Sequence, residues 1–252
     1  MTRSLRGHFA QKSVGATRGF RWRGGREISR LEGLSDAVFA FAITLLVVSL
    51  EVPRTFDDLM LTMRGFVAFG ICFTLLFGIW YEQYVFFRRY GLEDRTVVTL
   101  NAMLIFVVLF YVYPLKFLFT VLVASIFGIS SSPPGQAVAI RSYEDMRQLM
   151  MVFDAGYIAV FLLFALLYLH AYRQRSALDL NAIERFDTRE SIWSAVLQIG
   201  VAIVSLSIAL TGGARGASWS GIVFVSVGPL QAARGVFFGI RRRRLESAPA
   251  EA

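Results

Sequence analysis

Read as apolar and polar positions, the chain divides into six long apolar runs separated by short polar stretches. They cover about 34–52, 60–86, 97–124, 150–172, 190–211 and 217–240. A bilayer core of about 30 Å needs about 20 helical residues at 1.5 Å each, so every run has the length of a membrane-crossing helix. The second and third carry polar residues but are long enough to span with tilt. In the first run, Thr44 and Ser49 are the only polar side chains between Ala37 and Leu50. It is preceded by Arg30 and by the triplet Leu34, Ser35 and Asp36. These charges fall at a membrane boundary, where charge is costly and tends to have a function.

The pattern predicts an all-α integral membrane protein with six transmembrane helices per subunit. Three regions follow: a basic N-terminal tail over 1–29, the six-span domain over 30–240, and a basic, disordered C-terminal tail over 241–252. Composition agrees. Hydrophobic residues make up 56% of the 252 positions, and 23 residues are Phe. The mean hydropathy of +0.56 is too apolar for a soluble domain of this size.

The net charge of +8 would point to nucleic acid in a soluble protein. The placement of the charge gives a different reading, with no nucleic-acid partner. Arg and Lys crowd the segment before the first run. Arg88, Arg89 and Arg95 lie between the second and third runs, Arg173, Arg175, Arg185 and Arg189 between the fourth and fifth, and Arg241–Arg244 after the sixth. The alternate loops, at 53–58, 130–135 and 211–218, are short and poor in basic residues. The positive-inside rule then puts both termini in the cytoplasm, in keeping with an even number of spans. The acid-poor N-terminal segment has the composition of a transit peptide but lacks the apolar run and cleavage site of a secretory signal, and it reads as a cytoplasmic tail drawn to anionic lipid.

Arg30-x-x-x-Leu34-Ser35-Asp36 followed by AVFAFAITLLV resembles the signature of the transmembrane protein 175 family. These are the endosomal/lysosomal-type potassium channels and their bacterial relatives. Relatives usually carry Phe at the position of Leu34 and read AIAITLL where this chain reads AFAITLL. The resemblance extends weakly through Trp80, Asn101 and Pro114, and ends near residue 125. The motif occurs once, as in the bacterial form, in which four six-span subunits surround one pore. The resemblance therefore implies a homotetramer in a bacterial plasma membrane. It would conduct potassium passively, with the permeant monovalent cations as its ligands and no cofactor.

On a helical wheel Phe41, Leu45 and Val48 fall within about 60° of one another, with Thr44 beside them. The resemblance implies that the first span lines the pore. Phe41 then matches the innermost constricting ring, where relatives usually have Ile, and Leu45 and Val48 match two rings further out. Rings of this kind can gate by excluding water. Any packed membrane helix also shows apolar side chains at this spacing, so the wheel alone leaves both readings open. Asp36 lies about 140° from Phe41, and Arg30 and Asp36 are about 240° apart, too far round to pair on one helix. Two readings stand for this group. The resemblance implies that Arg30, Ser35 and Asp36 knit helices together at the cytoplasmic side. Alternatively, Ser35 is an N-cap and Asp36 a first-turn carboxylate favoured by the helix dipole.

Trp80, Glu82 and Gln83 close the second run. Relatives show a Trp with a nearby His there, in contact with the first-span motif; this chain has no such His, and Glu82 is a candidate partner for Arg30. Asn101, an amide in the third run, reads as an interhelical hydrogen-bonding residue. Asp154 reads as an N-terminal-turn acid, Tyr113, Pro114 and Lys116 as a boundary kink with a snorkelling Lys, and His170 as interfacial.

The single cysteine, Cys72, excludes an internal disulfide. His8 and His170 make no metal-ligand spacing. There is no TVGYG filter, no phosphate loop, no Ser/His/Asp motif and no Arg ladder of a voltage sensor, and an enzyme is not expected. A proton-permeable channel of the same fold, a secondary transporter and a non-conducting scaffold are the rival functions. A transporter would need a membrane-centre acid and repeats, which the sequence does not display.

Overall fold

The computed structural model describes residues 20–24, 28–48, 54–128 and 142–246, and among them the protein is helical with no strand. In chain order the helices are α1 (Arg30–Val48), α2 (Phe56–Arg64), α3 (Phe66–Tyr90), α4 (Arg95–Phe127), α5 (Tyr143–Arg173), α6 (Ala182–Thr211), α7 (Gly213–Val223) and α8 (Val227–Glu246). A short 3₁₀ turn, Phe224–Ser226, joins the last two. Among the described residues, five stretches are long and apolar enough to cross a membrane: Phe66–Tyr90, Arg95–Phe127, Tyr143–Arg173, Ala182–Thr211 and Trp219–Arg243. The 19 residues of α1 add a sixth apolar helix about 28 Å long. The end of the first predicted run, 49–52, lies outside the described residues, as does the loop at 130–135.

Several boundaries differ from the sequence expectation because caps, and not the apolar period, set them. The second run was read from 60, but 56–64 is a separate helix. Thr55 caps α2 in a reciprocal box with Asp58, and the helix stops at Gly65. α5 begins at Tyr143 instead of 150 because Ser142 and Asp145 form a capping box. α6 begins at Ala182 instead of 190 because Asn181 and Glu184 form another. The polar first turns of these helices carry no apolar signal, yet each box satisfies amide groups that would otherwise be orphaned.

α4 sits centrally, packed on α1, α3 and α5, while α5 and α6 make the most extensive pairing. The buried core runs through Leu46, Cys72, Leu76, Leu104, Val108, Leu167 and neighbouring residues. At the α4–α5 crossing, Gly156 lies directly under the ring of Tyr111, and an added Cβ would collide with that ring.

Part of the predicted N-terminal tail is docked onto the helical body. Phe20 is buried edge-on to Tyr90. The amide of Gly24 donates to the Arg88 carbonyl at 3.2 Å, an approach at which a Cβ would meet main-chain atoms of Phe87 and Arg88. Arg23 pairs at 2.7 Å with Glu184, whose side chain is fully buried, and Arg21 pairs with Asp179 at 3.2 Å. The rest of the tail over 1–19 lies outside the described residues, as does 247–252.

Candidate functional site

The first turn of α1 is capped by Ser29. Its hydroxyl accepts from the Glu32 amide at 3.1 Å, and the Glu32 carboxylate accepts from the Ser29 amide at 2.9 Å. Ser35 is therefore not the N-cap, and it lies in the second turn of the helix. The signal was present in the sequence as Ser29-Arg30-Leu31-Glu32, a capping box one turn upstream of the motif.

Freed from capping, Ser35 faces inward and is 1% exposed. Its hydroxyl donates to the Leu31 carbonyl at 2.8 Å and accepts from Asn101 Nδ2 at 2.8 Å. The Asn101 Oδ1 accepts in turn from Gln83 Nε2. Three buried polar side chains thus form one relay from α1 through α4 to α3. Each satisfies the next, as buried polar groups among apolar helices require. Beside the relay, the Trp80 indole donates to Asp36 Oδ1 at 2.7 Å. Trp80 also stacks in a ladder along α3, between Phe77 at 5.1 Å and Tyr84 at 5.7 Å.

The structure brings Ser35, Asp36, Trp80 and Asn101 together, and adds Gln83, which the sequence did not single out. Glu82 goes elsewhere and accepts from the Tyr168 hydroxyl at 3.1 Å, not from Arg30. Arg30 is exposed and has no ion pair among the described residues.

Ser35, Phe39, Ala42 and Leu46, at helical spacing, are the buried face of α1. The opposite face is bare. Phe41 is 57% exposed, Thr44 is exposed, and Arg30 and Ala37 share their side of the helix. Leu45 lies at the edge of this face and is half-buried, so the stripe is centred on Phe41 and Thr44. Val48 ends the helix, and the surroundings of its side chain lie outside the described residues. The Thr44 hydroxyl donates to the Ala40 carbonyl at 2.8 Å. Its proton is thereby engaged by the helix itself, and its oxygen lone pairs remain available on the bare face.

Two other expectations change, those for Asp154 and Lys116. Asp154 is not a first-turn acid, since it lies three turns inside α5, fully buried, accepting from Ser205 Oγ at 3.1 Å. Lys116 does not snorkel. Its ammonium turns inward and donates to the Leu46 carbonyl of α1 at 3.1 Å. His170 contacts Asp94, the N-cap of α4, at 2.7 Å. No grouping of metal-ligating residues occurs among the described residues.

These features define an all-helical membrane protein whose motif-bearing first helix is held from behind by α3 and α4 and presents a bare face in front. Comparison with known proteins makes this specific. Residues 30–111 match the model of the family described as endosomal/lysosomal potassium channel TMEM175. A potassium channel of Marivirga tractuosa is 41% identical over 238 residues, spanning 92% of this chain and 96% of its own. The crystal structure of the potassium channel MtTMEM175, as a Thr→Ala variant in complex with a nanobody–MBP fusion protein, superposes with a TM-score of 0.78. It is 40% identical and covers 90% of this chain and 99% of its own. A lysosomal potassium-selective channel TMEM175 homologue from Chamaesiphon minutus shares the fold at a TM-score of 0.52 and 22% identity, over 84% of this chain. The chain belongs to the TMEM175 family.

Proposed function

We propose that this protein is a potassium-permeable cation channel. In this reading four copies surround one pore lined by α1, and each subunit crosses a bacterial plasma membrane six times with both termini in the cytoplasm. The observation that carries the reading is the two-faced character of α1. Its back is sealed to its own subunit through Ser35, Phe39, Ala42 and Leu46, while Phe41 and Thr44 project from the free front. A helix so placed has its outward face available to a central axis. The names of the relatives, potassium channels at 40–41% identity, support potassium as the permeant ion.

Conduction is passive, and no enzymatic step or cofactor is involved. The Phe41 ring forms the apolar constriction, with Leu45 and Val48 further along the helix. A hydrated cation must shed or rearrange water there. Thr44, one turn on, turns its hydroxyl oxygens toward the axis and replaces part of the lost hydration, a role open to an oxygen whose own proton is engaged by Ala40. Arg30, Ser35, Asp36, Trp80 and Asn101 set the position of α1 and do not themselves touch the ion.

The test is cation flux from liposomes holding the purified protein, with sodium and a protonophore control alongside. Potassium flux that exceeds sodium flux and changes in Phe41→Ala is the expected result. Proton leak without either metal cation would replace potassium by the proton. Silence for all three, in a protein that assembles normally, would overturn the channel reading.

A further inference from the structure

α1 lacks any basic residue in its own last turn. A backbone carbonyl has two lone pairs and can accept from a donor on a neighbouring helix as well as from its own ladder. Lys116 of α4 supplies one. Its ammonium, half-buried on an otherwise apolar stretch, donates to the Leu46 carbonyl at 3.1 Å. Two residues earlier, Pro114 interrupts the α4 ladder and leaves the Phe110 carbonyl without its usual donor.

The same helix holds α1 at its other end, where Asn101 donates to Ser35. α4 thus grips α1 at two points, Ser35 and Leu46, eleven residues or about 16 Å apart along the axis. Phe41 and Thr44 both lie between the two grips. Between these points α1 buries Phe39 and Ala42, apolar packing that does not by itself fix rotation or axial register. The directional bonds at the two ends do.

We infer that Lys116 is a positioning residue for the pore: its ammonium fixes the final turn of α1 and thereby the presentation of Phe41 and Thr44. The inference rests on the proposed function and deepens it. The lower grip belongs to the signature motif, whereas the upper one is carried by a Lys that bonds to a main-chain carbonyl of α1. A residue bonding to a carbonyl leaves no trace in the α1 sequence itself.

Lys116→Met keeps the length and apolar stem of the side chain and removes the donor and the charge. Two readouts separate the inference from the reading beneath it. In hydrogen exchange, Lys116→Met loses protection in the last turn of α1 while the Ser35 end keeps it, and Lys116→Arg, which restores a cationic donor, recovers it. In liposome flux, Lys116→Met lowers the potassium-over-sodium ratio several-fold with flux retained, and Lys116→Arg returns most of it. Unchanged exchange in Lys116→Met overturns the inference, whether or not the protein conducts. Unchanged flux ratio with a conducting wild type overturns it while leaving the channel reading in place. A Lys116→Arg protein as impaired as Lys116→Met also overturns it. Should Lys116→Met fail to fold, the shorter, uncharged Lys116→Gln takes its place, judged by the same two readouts.

Discussion

Asn101 is the side chain on which the motif turns, because it alone bonds to both neighbours, donating to Ser35 and accepting from Gln83. Replacing it by Leu keeps the volume but removes the acceptor of the buried Gln83 amide on α3 and leaves Ser35 on α1 with only its bond to the Leu31 carbonyl. Unsatisfied buried groups cost about 1–3 kcal/mol each in proteins, and interhelical bonds in membranes measure somewhat less. Asn101→Leu is therefore expected to destabilise the folded subunit by about 1–2 kcal/mol, read as a lower denaturation midpoint in detergent. Much of this site was legible in the chain. The Leu34-Ser35-Asp36 triplet, Trp80 and Asn101 stand out as polar or aromatic residues against apolar runs. Gln83 was not legible, because it neighbours Glu82 and sequence offers no means of choosing between them. The phase of α3 decides: a step of about 100° per residue turns Gln83 inward to Asn101 and Glu82 sideways to Tyr168. Lys116 was misjudged for a related reason. Its partner is a carbonyl, and every residue has one.

Among the elements, the α4–α5 pair illustrates how close contact depends on a missing side chain. Gly156 meets the ring of Tyr111, whose hydroxyl donates to the Phe153 carbonyl at 2.9 Å and so pins the ring in place. The ring cannot yield without losing that bond. Gly156→Ala is expected to cost about 1–3 kcal/mol through overpacking, seen as a lower thermal midpoint. In a Tyr111→Ala background the added cost should largely vanish, because the two positions share one contact. The runs predicted from apolar content located the cores of α3, α4, α5 and α6. The starts of α2, α4, α5 and α6 escaped because they are polar: Thr55, Asp94, Ser142 and Asn181 each cap with a side-chain oxygen. Reading for capping boxes as well as for hydropathy recovers the starts of α1, α2, α5 and α6.

For the molecule as a whole, the segment Phe20–Gly24 ties the approach to α1 onto the α5–α6 turn. Arg23 carries most of that attachment, bonding to the Glu184 carboxylate and to the carbonyls of Leu178 and Asp179. Arg23→Ala is expected to release the segment while the helices stay folded, so that limited proteolysis cuts near residue 24 far faster than in the wild type. Unchanged cleavage would mean that Phe20 and Gly24 suffice to hold it. This attachment was invisible in sequence, where the arginines read simply as positive-inside charge. It also places a clock on biosynthesis. Arg23 and Glu184 are 161 residues apart in the chain. At about 5–20 residues per second, the ribosome needs roughly 8–30 s to deliver the second after the first. For that interval the first helix enters the membrane with its leading segment untethered, and the strap closes only once the fifth and sixth helices have arrived.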